Sequence, residues 1–195
     1  MSIWISRAAA VLIPALLCAA CVPVGGGGGA LPRSADFLNG DLRVAAPQGY
    51  CIDTRASHET GDGAVVLMGR CSESSAAAPG LITLTAGAPG SSDALKAGGR
   101  ALTDYFTSAA GRAALARDGR ASSVRVKMVS VADGALVLNV SDRTAGDYWR
   151  AILGVKGRLV SISVTAPGGG ALPEGRAMLD KAVAAFRAAN ATAGN

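Results

Sequence analysis

The amino-acid sequence predicts an α+β fold: a largely antiparallel sheet of about six to seven strands, with a central helix and a C-terminal helix packed on it. Three observations lead there. Three short extended segments come first, between residues 41 and 86. A stretch with helical spacing follows. Four segments of strand period then precede a last helical stretch. Strands grouped in runs, rather than alternating singly with helices, favour antiparallel pairing with helices laid on the sheet.

The first strand is expected over Asp41–Ala46, broken by Pro47-Gln48-Gly49. Extended structure resumes at Tyr50-Cys51-Ile52-Asp53. Arg55 to Gly63 is polar and contains glycine, so it reads as a connection. Ala64 to Cys71 is a strongly apolar strand, Ser72 to Gly80 a loop, and Leu81 to Ala86 the next strand. The strands bearing Cys51 and Cys71 are expected to pair as a hairpin with the two cysteines directly opposite each other, where side chains approach closely enough for a bridge.

Pro89 to Asp93 offers helix N-caps. Leu95, Leu102, Phe106 and Ala109 recur at helical spacing, which predicts one helix over residues 93–108, weakened by Gly98 and Gly99. Ala109 to Arg117 adds a further turn or two, ended by Asp118-Gly119. From Ser122 the period becomes two: Val124, Val126 and Met128 alternate with Arg125 and Lys127. Asp133-Gly134 marks a tight turn to Ala135–Val140. Tyr148–Val155 and Arg158–Thr165 form a second hairpin across Lys156-Gly157. Pro173 opens the final helix, with Leu179, Val183 and Phe186 on one face.

The N-terminus carries an address. Arg7 is followed by an apolar run of ~13 residues, too short for the ~20 of a membrane span. Then come Cys18-Ala19-Ala20-Cys21, Pro23 and five glycines from Gly25 to Gly29. This arrangement resembles a bacterial lipoprotein signal, with Cys18 standing where leucine is usual. The resemblance implies cleavage before Cys21 and lipidation of its thiol. Several acyl chains on one residue, at roughly 0.8 kcal/mol per buried CH₂, hold a protein to a bilayer. The family's inner-membrane retention signal is an aspartate after the cysteine. Val22 occupies that place, which implies an exported protein lipid-anchored in the outer membrane and facing the periplasm. The organisation expected is a signal peptide over 1–20, the lipidated cysteine and a Gly/Pro-rich tether over 21–36, one globular domain over 37–190, and a frayed tail over 191–195. A plain secreted protein and a retained transmembrane helix are the alternatives.

The chain has 195 residues and a net charge of +5, which becomes +4 once Arg7 leaves with the signal. Its basic residues are scattered. The densest group, Arg112, Arg117, Arg120, Arg125 and Lys127, fits a solvated helix face and an edge strand. No basic run with interleaved aromatics points to nucleic acid. With Cys18 removed and Cys21 acylated, Cys51 and Cys71 remain as an even pair in an oxidising compartment, which predicts a Cys51–Cys71 disulfide.

From about residue 40 to 190 the order of elements, with Pro47-x-Gly49-Tyr50 and a C-terminal helix ending in Ala185-Phe186, resembles PsbP-like and DcrB-like domains. That group shares no catalytic residues, and the resemblance implies adaptor, assembly or binding roles.

Searching for chemistry yields little. His58 is the only histidine and lies near Asp53, Glu59 and Asp62. There is no Gly-x-Ser-x-Gly elbow to present a serine, and the spacing of thiols and histidine does not match a metal site. No cofactor fingerprint is present. Asp142 and Asp147 flank a turn, where local loop chemistry explains aspartate. Tyr148, Trp149 and Arg150 are the candidates for a partner contact: one aromatic should enter the core, leaving the other near the surface beside Arg150. Met68, Met128 and Met178 read as core fillers. The expectation is a membrane-anchored, non-catalytic binding or envelope-assembly module, its partner an envelope protein or polymer. Its rivals are a small envelope hydrolase using carboxylates or His58, and a carrier of apolar ligands.

Overall fold

Alternation along each strand decides the two faces of the sheet, and the computed structural model, which describes residues 31–170 and 172–191, arranges the segments accordingly. The expected signal peptide, Cys21, the glycine run and residues 192–195 lie outside the described residues. The order is β1 (Ser34–Phe37), β2 (Leu42–Ala45), β3 (Tyr50–Thr60), β4 (Gly63–Arg70), β5 (Leu81–Ala86), α1 (Gly98–Thr107), α2 (Ala109–Leu115), β6 (Val124–Ala132), β7 (Ala135–Asp142), β8 (Gly146–Val155), β9 (Arg158–Thr165) and α3 (Gly175–Asn190). Strands β3 to β9 form one antiparallel sheet in the spatial order β3-β4-β5-β9-β8-β7-β6. Strands β1 and β2 make a separate hairpin. This is the α+β architecture that the strand grouping predicts.

One face of the sheet is apolar from β3 across to β7. Ile52, Val66, Ile82, Leu84, Ile162 and Val164 are fully buried there, against Leu179 and Phe186 of α3 and Leu42 and Val44 of β2. The β1–β2 hairpin is tied to α3 through Asn190, which donates from Nδ2 to the Arg43 carbonyl (2.7 Å) and accepts the Arg43 N–H at Oδ1 (3.1 Å). Buried Arg158 ties three further segments together. It pairs with Asp41 (Nε to Oδ2, 2.7 Å) and donates to the carbonyls of Asp62 and Gly87.

The second face is covered over only part of its width. Strand β7 is apolar on both sides, so it needs a cover on both. Leu136, Leu138 and Val140 meet Leu95, Leu102, Phe106 and Leu115 from the helical layer. Strands β5 and β9 instead alternate apolar with hydroxyl residues: Thr83 and Thr85, and Ser161, Ser163 and Thr165, point away from the core. Among the described residues no α-helix lies over that part.

Five expectations are corrected. Ser34–Asp36, assigned to the tether, belong to β1, and backbone bonds from Ala46 to Arg33 and from Ile52 to Pro32 (both 2.8 Å) bring the domain start forward. Residues Arg55–Thr60, read as a connection, extend β3. As an edge strand it borders solvent and tolerates polar residues, and the bulge between Asp53 and His58 is bridged by Ser57, whose Oγ donates to the Asp53 carbonyl (2.6 Å) and accepts the Leu67 N–H (3.0 Å). Cys51 stands opposite Gly69, not Cys71, yet the disulfide forms with Cys71 just past the strand end, its Cα 4.9 Å from that of Cys51.

The single expected helix is divided. A 3₁₀ segment, Ser91–Ala97, ends at Gly98, whose φ of +83° turns the chain into α1 at little steric cost. Ser108 then separates α1 from α2 and caps α2, its Oγ accepting the Gly111 N–H at 3.2 Å. Finally, a bulge between Val126 and Met128 shifts the phase of β6, so Met128 is exposed rather than a core filler; Met68 and Met178 are buried as expected.

Candidate functional site

The partial cover leaves an open cleft of about 490 Å³ between the hydroxyl-bearing strands and the end of α2. Its floor is cross-strand: Thr83 lies opposite Ser163, and Thr85 opposite Ser161. On the next strand Arg150 is the partner of Ser163 and Tyr148 the partner of Thr165. The wall is Leu115, Ala116 and Arg117.

Two bonds hold that wall in place. Tyr148, buried on the sheet, donates its hydroxyl to the Leu115 carbonyl (2.9 Å), and burial pushes the phenol pKa up, so it stays a donor. Asp142, 2% exposed, accepts the Arg117 N–H at Oδ2 (2.9 Å). Its Oδ1 accepts from the Thr144 N–H and hydroxyl (both 2.7 Å) and the Ala145 N–H (3.2 Å). Burial raises the Asp142 pKa, but these hydrogen bonds together outweigh it and leave the carboxyl below its ordinary range.

Arg150 is the charged group on the floor. Its Nε donates to Ser163 Oγ (2.8 Å) and its Cζ sits 5.0 Å from the centre of the Tyr148 ring. The bond to Ser163 is the hydrogen bond that its guanidinium makes among the described residues, and no side-chain nitrogen or oxygen there is buried without a partner. Among the described residues the two terminal nitrogens therefore have no partner and are not sealed from solvent.

The three residues expected at a partner contact are divided by the pleat. Tyr148 and Arg150 line the cleft. Trp149 faces the other way, half-buried beneath the start of α3, with the Arg176 guanidinium 5.7 Å from its ring. Neither aromatic stands free on the surface.

The acidic residues near His58 do not converge on it. Asp53 caps the Arg55 and Ala56 amides, Glu59 accepts the Leu38 N–H (2.7 Å), and His58 is exposed, its Nδ1 3.4 Å from the Ala56 carbonyl oxygen. Among the described residues no group of three or more His, Cys, Asp or Glu side chains is placed to hold a metal ion. Asp147 pairs with Lys127 (2.5 Å), and that bond, helped by one from Ser141, lowers its pKa. Both turn aspartates are thus carboxylates at neutral pH, committed to structural partners.

Of the basic group, Arg117, Arg120, Arg125 and Lys127 are exposed and Arg112 is half-buried; only Arg112 lies on a helix, Arg117 and Arg120 follow the end of α2, and β6 is an edge strand. Sequence reasoning missed the hydroxyl floor and the role of Asp142. The alternation of Thr83/Thr85 and Ser161/Ser163 was visible, but only the long-range β5–β9 pairing brings the two rows together.

No family model matches the chain, and searches of curated proteins and of solved structures find no match.

Proposed function

We propose that this protein is a lipid-anchored, non-catalytic binding module of the bacterial envelope, and that the cleft beside Arg150 is its binding surface. The observation that carries this reading is the part of the sheet left uncovered among the described residues, where a fixed guanidinium and the hydroxyls of Thr83, Thr85, Ser161 and Thr165 line an open cleft on a fully paired framework. The lipoprotein-like Cys18-Ala19-Ala20-Cys21 supports the anchor, and Val22 after it supports the outer membrane. The Cys51–Cys71 disulfide fits an oxidising compartment. Among the described residues no helix is long and apolar enough to cross a membrane; in this reading the lipid on Cys21 supplies the attachment.

Two measurements test the reading. Metabolic labelling with palmitate is expected to mark the native chain and to be lost in Cys21→Ser; label persisting on the variant removes the anchor. A photo-crosslinking residue at Thr85, in cells, is expected to capture an envelope component, whereas the same residue at exposed Arg125 is not. Equal capture at both positions, or none at Thr85, removes the cleft as the binding surface.

A further inference from the structure

We propose that the cleft takes a strand of acidic polysaccharide, with Arg150 as the receptor for a carboxylate on the sugar chain. This rests on the cleft being the binding surface and adds the class of ligand.

The first argument is charge. Arg150 is fixed on one side by Ser163 and below by the Tyr148 ring, so its planar fork is preorganised. Its terminal nitrogens have no partner among the described residues, and a guanidinium edge is the geometric match of a carboxylate. The nearby carboxylate that lines the cleft, Asp142, forms no ion pair with it, and its oxygens are filled by Arg117, Thr144 and Ala145. Exposed Arg117 on the wall adds a second positive charge. The cleft therefore favours an anion.

The second argument is shape. Thr83 opposite Ser163 and Thr85 opposite Ser161 give successive hydroxyl pairs along the strands. Such pairs recur about every 6.6–6.8 Å along the strands, with rows about 4.8 Å apart. A hydroxyl can both donate and accept; Thr83, Thr85 and Ser161 offer theirs to the cleft, while Ser163 is buried and already accepts from Arg150. A compact anion would engage Arg150 and leave this ladder unused, whereas a chain rich in hydroxyls engages both.

The third argument excludes an extended peptide by strand addition. The backbone of β5 is paired with β4 and β9, and that of β9 with β5 and β8, so the floor has no free main-chain edge.

The test is calorimetric titration of the full chain in detergent with a short oligogalacturonate, its carboxyl-reduced neutral counterpart, and inorganic phosphate. The acidic oligosaccharide is expected to bind, with affinity falling about tenfold or more in Arg150→Gln. Arg150→Lys, which keeps the charge and loses the fork, should fall between, and Arg125→Gln should match the parent. Thr85→Glu, at an exposed position, provides a second variant whose folding does not depend on Arg150; it is expected to weaken binding. Four results would overturn the proposal: no binding of the acidic oligosaccharide, equal binding of the neutral one, equal binding by phosphate alone, or undiminished affinity in both Arg150→Gln and Thr85→Glu. If Thr85 captures an envelope protein in cells while the titration is flat, the ligand class is wrong and the binding surface stands. If Thr85 captures nothing, the surface itself is wrong.

Discussion

Asp142 shows how one buried side chain can hold the wall of a cleft in place. It caps the Arg143–Ala145 turn and holds the end of α2 against the sheet. Asp142→Ala would strand three backbone donors, at a cost of about 2–3 kcal/mol. That is a Tm lower by several degrees in a thermal melt. The pH dependence follows from the direction of its shift. A carboxyl held below its ordinary value binds its proton less readily folded than unfolded. Its stabilisation is complete above the unfolded value, near pH 4, and drains away as the pH falls through the lower native value. Thermal melts from neutral pH to about pH 3 should show a shallower acid limb in Asp142→Asn, and an unchanged slope would show that this carboxylate does not drive acid unfolding. The function of Asp142 was not legible in the sequence, since aspartate before Thr144-Ala145-Gly146 signals a turn but not its tie to Arg117, twenty-five positions earlier.

Among the elements, those with an unbroken period were readable and those set by context were not. Leu81–Ala86 and the hairpin across Lys156-Gly157 follow directly from alternation and turn chemistry. The polar outer half of β3 escaped because an edge strand need not alternate, and Met128 because one extra residue in a bulge inverts the pattern after it. The crossing of α1 and α2 was hidden for another reason. It depends on Gly111, where a Cβ would collide with the Tyr105 carbonyl and with Phe106 Cα. Gly111→Ala is expected to push α2 away, lower the Tm, and weaken crosslinking from Thr85 because the wall moves. Retained capture would show that the wall is not needed. The disulfide acts at the same scale. It spans 20 residues of sequence, and reduction is expected to cost about 3 kcal/mol by the chain-entropy estimate. Melts with and without reductant check this, and alkylation of the denatured, unreduced chain should label neither Cys51 nor Cys71.

For the molecule as a whole, the grouping of strands was enough to read the fold class, but not which segments become neighbours at the centre. That is fixed by β5 pairing with β9, whose residues are far apart in sequence: Ile82 with Val164, Leu84 with Ile162. The same seam assembles the cleft floor, which is why the site stayed hidden until the sheet was known. A chain truncated after Gly157 is expected to show no cooperative melt. One truncated after Asn190 should keep the parental Tm, and a large loss there would mean that the last residues support the domain.

The β5–β9 seam also sets a timetable. The first three strands of the sheet have no partner on their inner edge until Thr165 has been delivered, so the apolar face cannot close while the C-terminal part of the polypeptide is still emerging. In the export proposed above, that delay would keep the chain extensible while it threads through a narrow pore, with collapse only on arrival.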